Sequence, residues 1–298
     1  MRIATLAKIN RLPVGISTLL HLRSSMFSLT RLALPSLATL LLASPASAAV
    51  VQAINWGTAT NISGDSDVAT TGTLVTAVNF GRTGTPGVSG TTVNGVTFTA
   101  FAVSNGSGAS AGPIAGVQIA ESPGVLYSSN TVGTGSGSFA GLSSSYQTLL
   151  GSAVGGTLPA TVTVTLSGDG TNSLVVGRQY LLQLWVNTSN LSSLFYGAST
   201  QSIFNDYSLT PQTVTLNENV GNGAGNLGQW VTGTFTAAST TARFQINSTS
   251  NVNGVPQINA LQLRDVTPSS VPETSSMVLL VAGSCGLMLA AGARRRRG

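Results

Sequence analysis

The chain has 298 residues, of which 42% are hydrophobic and only 7% are charged. Its formal charge of +5 arises at the two ends, because residues 49–271 contain four arginines, seven acidic residues and no lysine, a net charge of −3. An acidic central region argues against nucleic-acid binding, which needs a basic stripe on the folded surface. The only histidine, His21, and the only cysteine, Cys285, lie outside this region, which therefore lacks the side chains for a Ser-His-Asp triad, a thiol centre, a disulfide or a zinc site.

The first 48 residues have the pattern of a secretory signal peptide. A short basic region ending at Arg31 precedes an apolar run over residues 32–43, and Ala46-Ser47-Ala48 forms an A-x-A cleavage site in front of Ala49. Counted from Met26 the segment has 23 residues, a normal length, which makes Met26 a candidate start. We expect export through Sec-type machinery and removal of this segment by signal peptidase.

Residues 49–266 are predicted to form a single all-β domain. Alternating or apolar runs between turn residues predict strands near 50–56, 73–80, 91–93, 96–103, 160–166, 179–186, 212–216, 229–236, 242–246 and 257–264. Valine and threonine alternate over residues 161–166, as in a half-buried strand of an antiparallel sheet. The spacings are too short for crossover helices, so we predict an antiparallel β-sandwich.

Local signals complete this prediction. Asn94-Gly95 between alternating residues selects a type I′ hairpin, since both residues tolerate positive φ. Residues 144–153 are the one stretch predicted to form a short helix. The low-complexity stretches 81–90, 105–116 and 133–139 are predicted to be loops or linkers, and Trp56, Trp185 and Trp230 to pack in the core.

Two passages resemble known secreted sandwich modules. Residues 175–185, with Gly177, Tyr180 and Leu182, are similar to a strand that recurs in such modules. The closing runs 228–235, 243–246 and 257–265 look like the end of a galactose-binding-like or malectin-like domain. The resemblance implies a jelly-roll-like sandwich whose final strand returns beside the first, and only faintly implies a sugar ligand.

Residues 187–211 are the longest predicted stretch without a strand, and they hold several aromatic side chains. Phe195, Tyr196 and Tyr207 lie there among serine, asparagine and glutamine. Long loops of sandwiches often carry ligand sites, and exposed rings beside amides suit sugars. The alternative, which residue statistics favour, is that these rings fold back onto the core.

Two carboxylates are spaced as in an oxygen-rich calcium loop. Gly64-Asp65-Ser66-Asp67 offers two acidic side chains together with backbone carbonyls, and Ca²⁺ takes 6–8 oxygen ligands. Aspartate and serine are also common turn formers, and a plain turn is the favoured alternative.

The central region has few groups for acid–base catalysis. Glycoside hydrolysis needs two carboxyl groups about 5–9.5 Å apart, and Asp206 and Glu121 are the first candidates. The preferred hypothesis is a non-catalytic surface or matrix protein with weak glycan affinity, with no catalytic residue and no cofactor apart from the calcium alternative. The alternative is a secreted glycan hydrolase or lyase.

The C-terminal residues combine an extended motif, an apolar span and a basic stop. After a spacer that begins at residue 267, Val271-Pro272-Glu273-Thr274 precedes an uncharged segment over about 276–293 and then Arg294, Arg295, Arg296 and Arg297. An apolar helix of about 17–25 residues suffices to span a bilayer. Four arginines after it resist translocation, which keeps the C-terminus in the cytoplasm and the domain outside.

This tail resembles the PEP-CTERM sorting signal, which marks substrates of an exosortase-type membrane protease. Thr274 stands where that signal usually has its second proline, so the tail also resembles an LPxTG-type sortase signal with Val271 and Ser275 as mismatches. A further alternative is an uncut single-pass anchor. The resemblance implies an exported protein that is anchored transiently in the inner membrane and then released to the cell surface, with an exopolysaccharide as a candidate partner.

Overall fold

The structure, a computed structural model, describes residues 52–106, 108–122, 124–156, 161–193, 195, 201–206, 208, 210–248 and 255–269. These residues lie in one compact unit. The predicted signal peptide with Ala46, Ala48 and Ala49, the sorting motif, the apolar span and the arginine cluster lie outside the described residues. Within the described part, no helix is both long and apolar enough to cross a membrane.

The described chain consists mainly of short β-strands. The first nine are β1 (Asn55–Trp56), β2 (Thr60–Asn61), β3 (Thr73–Arg82), β4 (Thr91–Val93), β5 (Val96–Val103), β6 (Ser110–Ile114), β7 (Val117–Ser122), β8 (Tyr127–Ser129) and β9 (Ala153–Gly155). The others are β10 (Thr161–Leu166), β11 (Gln179–Val186), β12 (Gln201–Asp206), β13 (Thr213–Asn217), β14 (Gln229–Thr236), β15 (Ala242–Ser248), β16 (Gln257–Ile258) and β17 (Ala260–Asp265). Between them lie a 3-10 turn (Asp65–Asp67) and the helices α1 (Gly137–Ala140) and α2 (Ser144–Leu150).

The strands form two large sheets and one small sheet. The eight-stranded sheet has the order β1-β14-β11-β17-β3-β5-β4, with β2 also paired to β14. The six-stranded sheet has the order β13-β12-β15-β10-β7-β6, and the small sheet the order β16-β9-β8. The pairing is antiparallel except between β3 and β5, which run parallel.

The main core lies between the two large sheets. One hydrophobic cluster contains inward side chains of both, among them Phe80 and Leu184 from the larger sheet and Val164 and Phe244 from the smaller one. Each is fully buried, and burying such a side chain contributes roughly 1.5–3 kcal/mol. The predicted β-sandwich is therefore confirmed.

A second layer covers the outer face of the eight-stranded sheet. There Phe98 and Trp185 pack with Tyr146, Leu149 and Leu150 of α2. The rings of Phe98 and Trp185 meet edge to face, with centroids 5.7 Å apart. Helix α2 is thus held on the sheet by its own apolar face.

Local predictions agree closely where the sequence pattern was strong. The strands predicted at 91–93, 96–103, 179–186 and 229–236 have the bounds observed for β4, β5, β11 and β14. Asn94 and Gly95 adopt φ values of 47° and 75°, as the type I′ hairpin requires. The predicted helix is present as α2, and the valines of β10 face the core.

Other predictions were wrong. Residues 187–211 are not free of strands, because β12 pairs with both β13 and β15 there. The stretch 105–116 contains β6, which pairs with β7, and 133–139 runs into α1. The final strand, β17, lies between β11 and β3, whereas β1 pairs with β14 at the sheet edge. Backbone pairing with neighbouring strands of the sheet creates β6 and β12 without any strong local pattern.

Candidate functional site

A polar groove lies at the end of β3. It consists of two adjoining clefts that share Pro86 and Asn130. The first has a volume of about 510 Å³ and lies between residues 86–89, residues 133–135 and α2. The second has a volume of about 370 Å³ and lies between residues 82–86, residues 128–131 and Asn105.

Gly81 allows the walls of the groove to converge on β3. A Cβ atom at this position would lie 2.6 Å from Asn130 Oδ1, 2.7 Å from Ser152 Cβ and 2.8 Å from Val88 Cβ. Real Cβ atoms do not approach other atoms so closely. A side chain here would therefore force the loops apart.

The amide of Asn130 holds the loop that follows β3. Its Oδ1 accepts the backbone N–H of Arg82 at 2.7 Å, and its Nδ2 donates to the carbonyls of Arg82 at 3.0 Å and Pro86 at 2.9 Å. The backbone N–H of Val88 also donates to the Arg82 carbonyl at 2.9 Å. The backbone N–H and carbonyl of Arg82 are thus both already paired.

The start of α2 is anchored through a chain of hydrogen bonds. Ser143 caps the helix by accepting the backbone N–H of Tyr146. Trp185 Nε1 donates to the Tyr146 hydroxyl at 3.0 Å, and that hydroxyl donates to Asp67 Oδ2 at 3.1 Å. Burial, followed by the nearby Asp67 carboxylate, raises the pKa of the Tyr146 phenol, which therefore remains a proton donor.

Two buried asparagines hold the other end of α2. Asn79 Nδ2 donates to the carbonyls of Ser89 at 2.9 Å and Thr148 at 3.2 Å. Asn259 Nδ2 donates to the carbonyls of Leu150 at 2.9 Å and Ser152 at 2.8 Å. Both asparagines belong to the β3–β17 region of the sheet, so the groove wall is fixed to the most central strands.

The described lining of the groove is almost uncharged. The first cleft is lined by hydroxyl and amide side chains: Ser89, Asn130, Thr134, Ser144, Gln147, Thr148 and Ser152. The second adds Arg82, Asn105 and further serines and threonines, and no acidic residue is among the lining of either cleft. Hydroxyl and amide groups both donate and accept hydrogen bonds, which suits a ligand rich in hydroxyl groups.

The structure describes one of the three residues of the predicted aromatic site. Phe195 is fully buried and packs with Val132 and Ala153, so it follows the favoured alternative of folding back onto the core, and its ring has no exposed face for a sugar. Tyr196 and Tyr207 lie outside the described residues. Phe139 is the aromatic residue that lines the first cleft. Only 4% of its surface is exposed, so its ring forms part of the cleft floor and offers no face on which a sugar could stack.

The Asp65–Asp67 turn uses its carboxylates internally. Asp67 accepts the backbone N–H groups of Ser63 and Gly64 at 2.7 and 3.0 Å in addition to the Tyr146 hydroxyl. Asp65 accepts the Ser143 hydroxyl at 2.7 Å. Among the described residues, no group of three or more acidic, histidine or cysteine side chains is placed to hold a metal ion. The turn therefore ties the chain before β3 to α2.

The two candidate catalytic carboxylates are far apart. Asp206 on β12 and Glu121 on β7 are separated by β15 and β10, three strand spacings or about 14 Å. That distance exceeds the roughly 5–9.5 Å of a glycosidase pair. Asp206 is buried and accepts the backbone N–H of Ile54 at 2.9 Å, which joins the N-terminal segment to the six-stranded sheet.

A buried acid occurs elsewhere, at the end of β13. Glu218 is fully buried and accepts the Ser202 hydroxyl at 2.7 Å through Oε1. Its Oε2, like Oε1 of the neighbouring Gln257, has no hydrogen-bond partner in the structure. Burial raises the pKa of Glu218 well above its ordinary value, which favours the protonated, neutral form of the side chain.

Sequence reasoning missed the residues that form the groove. Residues 81–90 were predicted to be a plain loop, yet this segment forms one wall of both clefts. One signal was available, since Arg82 is one of four arginines in the domain and lies two residues beyond the end of a predicted strand. Nothing in the sequence indicated that Asn130 and α2 would meet it.

Comparisons with known proteins do not assign a family. No protein-family model and no curated protein matches the chain. One solved structure, from work on promiscuous carbohydrate-binding modules of the β-sandwich superfamily, aligns with 10% identity over 54% of this chain. The alignment spans 66% of that chain, just under two thirds, and its TM-score of 0.16 is too low to support an argument about fold or ligand.

Proposed function

We propose that this protein is exported to the cell surface, where its jelly-roll-like β-sandwich binds a glycan in the groove without transforming it. The observation that carries the proposal is the groove itself: a cleft of about 510 Å³ in which hydroxyl and amide groups lie beside Pro86, Val88 and Phe139, continued by a second cleft of about 370 Å³. Such a lining matches the hydroxyl groups of a sugar chain, and its open shape accommodates successive residues of a polymer.

The positions of the acidic side chains favour binding over catalysis. Asp67 and Asp206 accept backbone N–H groups, Asp265 pairs with Arg178 at 2.6 Å, and Glu218 lies in the interior. Each of these carboxyl groups is committed to holding the fold. A hydrolase would need a pair of them facing a bound sugar.

Glycan binding is tested by obstructing the groove without disturbing the fold. A Cβ atom at Gly135, which lines the first cleft, would meet nothing within 4 Å. We expect Gly135→Leu to fill the cleft and weaken polysaccharide binding by about tenfold, a change of ~1.4 kcal/mol. The matched control is Gly64→Leu, which also adds a side chain in open space but outside both clefts.

The measurements are affinity electrophoresis of the full chain in gels containing soluble polysaccharides, and its melting temperature. The test uses a gel whose polysaccharide retards the wild type. If it retards the Gly135→Leu variant and the control to the same extent, the groove is not the binding site. Release of reducing sugars by the purified protein, abolished by changing one carboxylate, would replace binding with catalysis.

We also propose that residues 271–298 direct sorting by an exosortase-type protease. The proposal rests on the order of motif, apolar span and arginine cluster in the sequence. Intact-mass measurement of the protein recovered from the cell surface should show a mature chain without residues 277–298. Arg294–Arg297 still attached in most molecules would reduce the tail to a simple membrane anchor.

A further inference from the structure

We infer that the groove selects an acidic polysaccharide, with Arg82 binding a sugar carboxylate; the inference rests on the proposed glycan-binding function. Arg82 is the last residue of β3 and lines the second cleft. Its side chain is exposed, and within the described structure its guanidinium makes no ion pair and no hydrogen bond. The Arg82 guanidinium is thus the one charged group among the described residues that line the groove.

The other arginines of the domain are in different situations. Arg178 pairs with Asp265. Arg264 is buried and donates to the carbonyls of Thr70, Thr71 and Gly72. Arg243 is exposed on β15, in the six-stranded sheet, and lines neither cleft. Arg82 is therefore the arginine of the domain whose position suits a ligand.

The local structure favours an anion at this point. The backbone of Arg82 is fixed by Asn130 and Val88, so only the side chain itself must be ordered on binding. A guanidinium presents a planar fork of donors that matches a carboxylate with two parallel hydrogen bonds. Thr83, Thr85 and Thr131 line the same cleft and offer hydroxyl groups to the rest of the sugar ring.

The charge of the domain makes this preference specific to the site. Residues 49–271 carry a net charge of −3, so the surface as a whole repels a polyanion. Attraction of an acidic glycan consequently requires a local cation within a suitable cleft. A sugar polymer with a carboxylate on each residue, such as a polyuronate, fits this requirement.

The test compares polygalacturonate with dextran, a neutral polymer, using the full chain. We expect tighter binding of polygalacturonate. Arg82→Gln should weaken it by up to about fivefold, the upper range for an exposed ion pair, while dextran binding stays unchanged. Arg82→Lys should restore part of the affinity, because it keeps the charge but loses the fork. The matched control Arg243→Gln removes an equally exposed arginine and should leave both affinities unchanged.

The outcomes separate the two proposals. Equal binding of dextran and polygalacturonate, with no effect of Arg82→Gln, overturns the acidic preference but leaves glycan binding in place. Absence of binding to any polysaccharide overturns both proposals. An equal loss in the Arg82 and Arg243 variants would show a diffuse charge effect and refute the assigned site. Dextran sulfate binding that survives Arg82→Gln would likewise exclude Arg82 as the determinant of anion binding.

Discussion

The hydroxyl of Tyr146 joins α2 to the sheet below it, and Tyr146→Phe tests this role. The hydroxyl accepts the indole N–H of Trp185, which is fully buried, and donates to Asp67. In the variant, the indole N–H loses its acceptor, whereas Asp67 keeps the backbone N–H groups of Ser63 and Gly64. A buried donor left without a partner costs about 1–3 kcal/mol. We therefore expect the free energy of unfolding to fall by ~2 kcal/mol.

The expected loss can be measured by urea unfolding followed by circular dichroism. For a domain of about 220 residues it corresponds to a decrease in melting temperature of about 4–8 °C. A double-mutant cycle with Trp185→Phe identifies the cause, because that background has no indole N–H to leave unpaired. Tyr146→Phe should cost clearly less there, with a coupling energy of about 1–2 kcal/mol. An equal cost in both backgrounds would refute the argument and assign the effect to Asp67.

Two further predictions concern the interior and the groove. Because burial raises the pKa of Glu218 above its ordinary 4.5, the folded chain keeps a proton that the unfolded chain loses as the pH rises past that value. The contribution of Glu218 to stability should therefore be largest below pH 4.5 and fall above that pH by up to ~1.4 kcal/mol per pH unit, until the folded-state pKa is reached. Urea unfolding at pH 4, 6 and 8 should show this loss of stability in the wild type but not in Glu218→Gln. An equal decrease of the unfolding free energy with pH in both proteins would show that other acids cause it. Gly81→Ala should destabilise the fold by about 1–3 kcal/mol and open the groove, because its Cβ would collide with Asn130 and Ser152. Gly135→Ala is the matched control, and equal melting temperatures of the two variants would contradict the role of Gly81.

The sequence alone determined the strongest local elements. Strands β4 and β5 follow from alternation around Asn94-Gly95, whose positive φ values select one hairpin register. Strand β10 follows from its regular exchange of valine and threonine, and β11 and β14 from long runs bounded by turn residues. In these segments, side-chain periodicity and turn chemistry agree, so local information suffices.

Elements without a strong pattern depended on their partners. Strand β12 lies among polar residues and is held between β13 and β15, and β6 contains glycine and proline beside β7. The parallel pairing of β3 with β5 is likewise invisible in the sequence, because the hairpin signal concerns β4 and β5 only. Strand formation in such segments depends on hydrogen bonds to a partner strand, which is the next strand for β6 and lies far along the chain for β12 with β15.

The sequence determined the inventory of available chemistry: four arginines, seven acids and no histidine between residues 49 and 271. Only the tertiary structure decided where individual side chains lie. Phe195 and Glu218 are in the interior, and Arg82 is beside a groove. The groove itself arises where Gly81, Asn130 and α2 meet, and contacts between residues about 50 to 70 positions apart leave no local pattern. Composition limits which reactions a domain can perform, whereas the position of a binding site depends on how distant segments pack together.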